Sequence, residues 1–461
     1  MHTTTSRLAL AAASMALILA TAACGGGGDD APIEASANAL DADRATAQAR
    51  RRPPPPAPAP PPATDATLAL ASATAAGAAT DGNVCAVSGN GGKVLFTSFS
   101  STLVSSDPTP FLADMYLKDF NGNGVTRVVT NLSRQLNCLA MTPDANTVVF
   151  VNSAINGQID VFGNSGSELA ILALNLTTGV QARVTPLLSS LANVDRFQFA
   201  GVSDDGLRVA FIAQPTVSCN IFDCTAIGPA RMFVRDLASG ALINLESQVR
   251  FTTAQGVADG AALLSPNGRT LAFSSRAAYP EASSPEGGVF ALDVASRNVR
   301  PINTDAAGRQ VALGEARAFL SNSSQVAFFN TTDTNAGPAG VYVKDLATGA
   351  LNRMPVNPAV PPSNTPVLSF SDDGRKVAFV EGSGGGQTYR ELPRVVDLLT
   401  GARLNAATLT NGTVGNGLTN TNVLLSRDGK VTAFSNNSTN LLGGVSPLGG
   451  AELRAYRKLL P

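Results

Sequence analysis

The 461-residue chain has one histidine, His2, and no tryptophan. His2 falls in an apolar leader that reads as removed, so the mature chain has no imidazole. That excludes His-based acid–base catalysis, Ser-His-Asp and Cys-His triads and histidine metal sites. The lack of tryptophan removes a stacking surface that sugar sites commonly use. Charge is sparse as well: 33 Lys and Arg against 34 Asp and Glu, a net of −1, give no basic footprint for nucleic acid. No Gly-x-Ser-x-Gly or phosphate-loop motif occurs, and no cofactor is expected. Two carboxylates brought together by folding would leave no local signature, so acid-pair chemistry on a glycan stays open.

Glycine and proline are plentiful, at 43 and 28 residues, as many tight turns require. Much of this glycine serves a pattern that comes seven times: Ser88–Phe96, Thr142–Phe150, Ser203–Phe211, Ser265–Phe273, Ser321–Phe328, Ser371–Phe379 and Ser426–Phe434. The closing Phe residues are 54, 61, 62, 55, 51 and 55 residues apart, a period that announces a repeat architecture. Each copy sets an Asp-Gly or Asn-Gly turn between an apolar run and a Val-Ala-Phe run, which is hairpin chemistry. The second run is apolar at successive positions, as in Val209-Ala210-Phe211-Ile212. Successive strand side chains point to opposite faces, so both faces of that sheet are expected to be buried.

A second pattern follows, in Met115–Asp119, Met232–Asp236, Val289–Asp293, Val341–Asp345 and Arg394–Asp397, closed by turns such as Leu346-Ala347-Thr348-Gly349. Four strands per repeat and seven repeats predict an all-β, seven-bladed β-propeller of four-stranded blades over residues 65–461. The last repeat is one strand short, and Thr67–Ser72 is expected to pair onto it and close the ring. The paired patterns resemble the TolB-like and WD40-like (PD40-type) propeller repeats, with their Ser-Pro-Asp-Gly turn, Val-Ala-Phe strand and Tyr-Val-x-Asp-Leu-x-Thr-Gly hairpin. Two copies depart: Ala145 stands where Gly is expected, and the copy at Ser321 lacks Asp-Gly. No segment corresponds to the separate α/β domain of TolB, so the resemblance implies a fold and not TolB's partners.

Residues 1–23 run from Arg7 through an apolar Leu8–Ala20 to Thr21-Ala22-Ala23, the form of a signal peptide. Small residues ahead of Cys24 resemble the bacterial lipoprotein lipobox, although Thr21 departs from the usual Leu. The resemblance implies lipidation at Cys24, and Gly25 after it favours the outer membrane of a Gram-negative bacterium. Residues 24–64, Gly-rich and then Pro-rich after Arg50-Arg51-Arg52, read as a disordered tether whose Pro segment spans about 30 Å.

Four cysteines remain, in a compartment expected to be oxidising. Cys219 and Cys224 are placed for a local disulfide. Cys85 and Cys138 occupy matching innermost strands, where either a bridge or two buried thiols would fit. Asp119, Asn121 and Asn123 match the opening of a calcium loop, but Thr130 stands where its closing Glu would be, so a longer turn is the plainer reading. The longer connections of every repeat share one end of the ring, and loops on a rigid scaffold commonly carry recognition. Asp107, Tyr279, Glu281, Asp333 and Asn335 are the candidates there. The expected function is a monomeric, outer-membrane-anchored module that binds or scaffolds an envelope protein or a cell-wall or surface polymer. It would meet the membrane through its lipid alone. The alternative is a carboxylate-based enzyme or binding protein acting on a surface glycan.

Overall fold

Every described copy of the turn pattern is closed by the same hydrogen bonds, and these explain its composition. In Ser371–Lys376 of the computed structural model, Ser371 Oγ donates to Asp373 Oδ1, which also accepts the Arg375 amide at 2.9 Å. The Lys376 amide returns to Ser371 Oγ at 2.9 Å, and the Gly374 amide to the Ser371 carbonyl at 2.8 Å. Thr142 with Asp144, Ser203 with Asp205, Ser265 with Asn267 and Ser426 with Asp428 repeat the hydroxyl-to-Asx bond. The fourth position is left-handed throughout, including Ala145 at φ 59°, the residue that replaces glycine.

The structure describes residues 65–104, 111–122, 124–131, 136–155, 158–159, 168–219, 224–250, 252–254, 257–259, 262–275, 288–304, 318–320, 325–330, 340–346, 348–353, 369–383, 390–442 and 452–461. They form a β-propeller. The first sheet is Asn83–Val87, Lys93–Ser98, Asp114–Asp119 and Val125–Val129. The second is Asn137–Met141, Thr147–Ile155, Glu168–Asn175 and Gln181–Arg183. The third is Val194–Val202, Arg208–Cys219, Arg231–Asp236 and Leu242–Asn244. The fourth, Ala262–Pro301, the fifth, Ala318–Arg353, and the sixth, Ser369–Asn405, follow the same antiparallel order. A closing sheet joins Thr419–Leu425, Val431–Asn436 and Arg454–Leu459 to Leu68–Leu70 from the other end of the domain.

The expected count of seven four-stranded blades is corrected: among the described residues the structure shows six blades, not seven, beside the closing sheet that Leu68–Leu70 joins. Two of the six carry a fifth strand, Gln158–Ile159 on the second and Cys224–Ile227 on the third. Their second strands, of nine and 12 residues, also pair with these added strands. The seventh copy of the turn lies in the composite closing sheet. The turn pattern marks hairpins, and a hairpin does not by itself establish a complete blade.

Burial follows the apolar runs. Val94, Leu95 and Phe96, like Val209, Ala210, Phe211 and Ile212, are wholly buried, so neighbours cover both faces. In several of the turn patterns the Phe lies directly opposite an aromatic ring on the next strand: Phe96 and Tyr116, Phe211 and Phe233, Phe273 and Phe290, Phe434 and Tyr456, whereas Phe150 and Phe379 lie opposite Leu172 and Arg394. The centroids of these aromatic pairs are 5.3–5.8 Å apart and the rings are stacked.

Asp65 holds the start of the domain in place. Its carboxylate accepts the amides of Thr67 at 2.8 Å, Leu68 at 2.7 Å and Thr410 at 2.6 Å, together with the Thr410 hydroxyl. Burial alone would raise its pKa, but the bonds from Thr410, Thr67 and Leu68 outweigh it and hold the carboxyl well below the ordinary 3.8. A carboxylate depressed in the folded state stabilises above its unfolded pKa and loses that contribution as the pH falls. The Tm gap between wild type and Asp65→Asn should narrow as the pH is lowered from about 4 to about 2. A gap that stayed constant over that range would remove Asp65 from the closure.

Candidate binding face and central cavity

The turns at one end of the propeller bond to one another. Gly89 donates its amide to the Pro143 carbonyl at 2.8 Å, Asp204 to Pro266 at 2.7 Å, Asp372 to Arg427 at 2.7 Å and Asp428 to Gly89 at 3.2 Å. These bonds run between neighbouring sheets at the second and third positions of the turn. Proline fits that second position as an acceptor, because it has no N–H to leave unpaired.

Beneath these turns the innermost strands line an open cavity of about 270 Å³. Its wall is largely apolar and comes from the first, second, third, fourth, sixth and closing sheets. It includes Ala86, Ala140, Met141, Phe199, Leu264, Phe370 and Leu424, together with Cys85. Gly201 is in the wall at φ 118°, and a Cβ there would meet the Leu264 amide nitrogen at 2.9 Å. Arg427 is the charged residue of this lining. Its two terminal nitrogens bond both carboxylate oxygens of Asp204, and Asp372 lies 3.8 Å away. Asp204 belongs to the third sheet's turn and Arg427 to the closing sheet's. Other sheets separate the two on either side of the ring, so the pair reaches across the channel. Burial pushes the Asp372 carboxyl up, Arg427 opposes this, and Asp204, Asp373 and Asp428 add to it.

At the opposite end, the described part of the Ser98–Leu112 connection presents two aromatic rings to solvent, Phe99 at 62% and Phe111 at 87% exposure. The candidates Asp107, Tyr279, Glu281, Asp333 and Asn335 lie outside the described residues, as do Cys24 and Asn123. Cys219 and Cys224 are opposite each other in the backbone ladder. Cys85 and Cys138 are free thiols. Asp119 accepts the amides of Asn121 at 2.8 Å and Gly122 at 3.1 Å, bonds that help hold its carboxyl below the ordinary range. Asp236, Asp293 and Asp397 do the same for the amides of their own turns. Asp119 thus takes the turn-closing role of its counterparts.

The clasp formed by Arg427, Asp204 and Asp372 was not anticipated from the sequence. The signal lay in the second position of the turn, which varies among Gly, Pro, Asp, Asn and Arg while the first is always Ser or Thr and the third nearly always Asp or Asn. A variable position in an otherwise regular turn is one whose side chain the turn does not use.

No protein-family model matches the chain, and no curated protein matches it in sequence. Solved structures do. An oligogalacturonate lyase from Vibrio parahaemolyticus is 12% identical with a TM-score of 0.52, over 83% of this chain and 91% of that one. The β-propeller domain of the Trilobed protease from Pyrococcus furiosus is 8% identical with a TM-score of 0.50, over 83% and 98%. That domain has an open velcro topology, whereas here Leu68–Leu70 pairs with Arg454–Leu459. TolB from Acinetobacter baumannii is 20% identical with a TM-score of 0.37, over 63% and 58%. At these identities the likeness is one of fold.

Proposed function

We propose that the chain is a binding or scaffolding module of the bacterial cell envelope, held at the outer membrane by lipid on Cys24 and carried on the tether of residues 24–64. Its partner is an envelope protein, met at the end of the propeller that carries the longer connections. The observation that carries this reading is the pair of aromatic rings exposed at that end. The turn end is closed by its own hydrogen bonds and by the Arg427 clasp, while the other presents Phe99 and Phe111 to solvent. Exposed aromatic rings supply large contact area at small entropic cost, and such residues dominate protein–protein recognition. The largely apolar cavity wall fits a binding domain, and most described turn aspartates are engaged by the amides of their own turns.

The test is crosslinking and affinity capture from intact envelope, with the anchored chain beside Cys24→Ala. A distinct protein captured by the anchored chain and lost or strongly reduced with the variant is the expected result. Recovery of polysaccharide alone would overturn the protein-partner reading and favour a glycan-directed role.

A further inference from the structure

Cys85 and Cys138 stand on the innermost strands of the first and second sheets, each beside an irregularity in its ladder. The register slips between Val84 and Ala86 and again between Cys138 and Ala140. A bulge re-aims the side chain beside it. Here the two thiols come together: both pack against one cluster that includes Ala86, Met141 and Phe150, with the Cys138 S–H directed to Cys85, whose own Sγ donates to the Asn83 carbonyl at 3.7 Å. Both residues are half-buried, and Cys85 is part of the cavity wall.

We infer that this pair is a thiol-exchange site, in which a small disulfide entering the cavity is attacked by Cys85 and then displaced by Cys138, leaving a covalent link between the first two sheets. In the first step Cys85 Sγ bonds one sulfur of the reagent, and the other sulfur leaves as a thiolate that takes up the Cys85 proton. In the second step Cys138 Sγ attacks Cys85 Sγ, and the second reagent thiol leaves with the Cys138 proton. Two electrons pass from the cysteines to the reagent disulfide, which ends as two thiols. The order of attack follows from place: Cys85 is part of the cavity wall and Cys138 is not. Burial, and then the hydrogen bond it donates to Cys85, push the Cys138 thiol well above its ordinary range, which makes it a poor first nucleophile and a serviceable second one once Cys85 is activated as a mixed disulfide. The site is independent of what the propeller binds.

The test treats the folded, fully reduced chain with oxidised glutathione and maps its peptides by mass spectrometry without reduction. The wild type should yield a Cys85–Cys138 linked peptide. Cys138→Ser should retain one glutathione on Cys85, and Cys85→Ser should leave Cys138 unmodified under the same conditions. The inference is overturned if glutathione stays on Cys85 in the wild type, if Cys138 reacts equally well in Cys85→Ser, or if the linked peptide forms only after denaturation.

Discussion

Deleting residues 65–72 is expected to destabilise the whole propeller, by on the order of 5 kcal/mol, although it removes a single three-residue strand. Leu68 is 1% exposed and packs in the cluster that holds Val423, Leu425, Phe434 and Tyr456. Removing a buried leucine alone costs about 2–5 kcal/mol. The deletion also strips the ladder from Arg454–Leu459 and uncovers a sheet edge. Further bonds go with it: Lys458 Nζ loses Thr67 Oγ1 at 2.6 Å, and the Ala455 amide loses Ser72 Oγ at 3.0 Å. A domain whose total stability is about 5–15 kcal/mol is brought close to unfolding by a loss of that size. Urea denaturation of the truncated chain measures it, and an unchanged midpoint would mean that the closing sheet does not hold the ring.

Gly91→Val should cost about 3–5 kcal/mol, while Gly240→Val should cost only about 1–2 kcal/mol. Both glycines are left-handed, at φ 68° and 72°, so the backbone penalty is common to the two. They differ in what surrounds them. A Cβ on Gly91 would lie 2.3 Å from Val431 of the closing sheet, and the Gly91 carbonyl accepts Arg457 Nε at 2.8 Å. Around Gly240 nothing lies within 4 Å. The first sheet's turn is seated directly against the closing sheet, so a side chain there must push two sheets apart. Thermal unfolding of the two variants side by side separates the contributions, and equal losses would show that the contact between those sheets carries no weight.

Much of the fold is written in residues that the backbone itself requires. Ser371, Asp373 and Gly374 announce the turn because hydroxyl, carboxylate and left-handed glycine each satisfy a specific part of it. Val94, Leu95 and Phe96 announce two-sided burial because no solvent-facing strand would be apolar at three successive positions. Asp236, Asp293 and Asp397 close their hairpins as turn chemistry suggests. The blade count was harder to read. Nothing local marks where Arg208–Cys219 stops serving its blade and begins pairing with Cys224–Ile227, and a turn motif counts hairpins. The site was harder still. Arg427 and Asp204 are 223 residues apart and meet only because the ring places their turns across one channel. Phe99 and Phe111 belong to a connection of irregular sequence, where no periodicity separates an exposed ring from a buried one.

The most direct test of the account is photocrosslinking from single positions in living cells. A photoreactive residue replaces Phe99, Phe111 or, at the turn end, Leu399, which is 78% exposed. One protein partner should be captured from positions 99 and 111 and not from 399. Capture from 399 alone, or no protein from any of the three positions, would contradict the account.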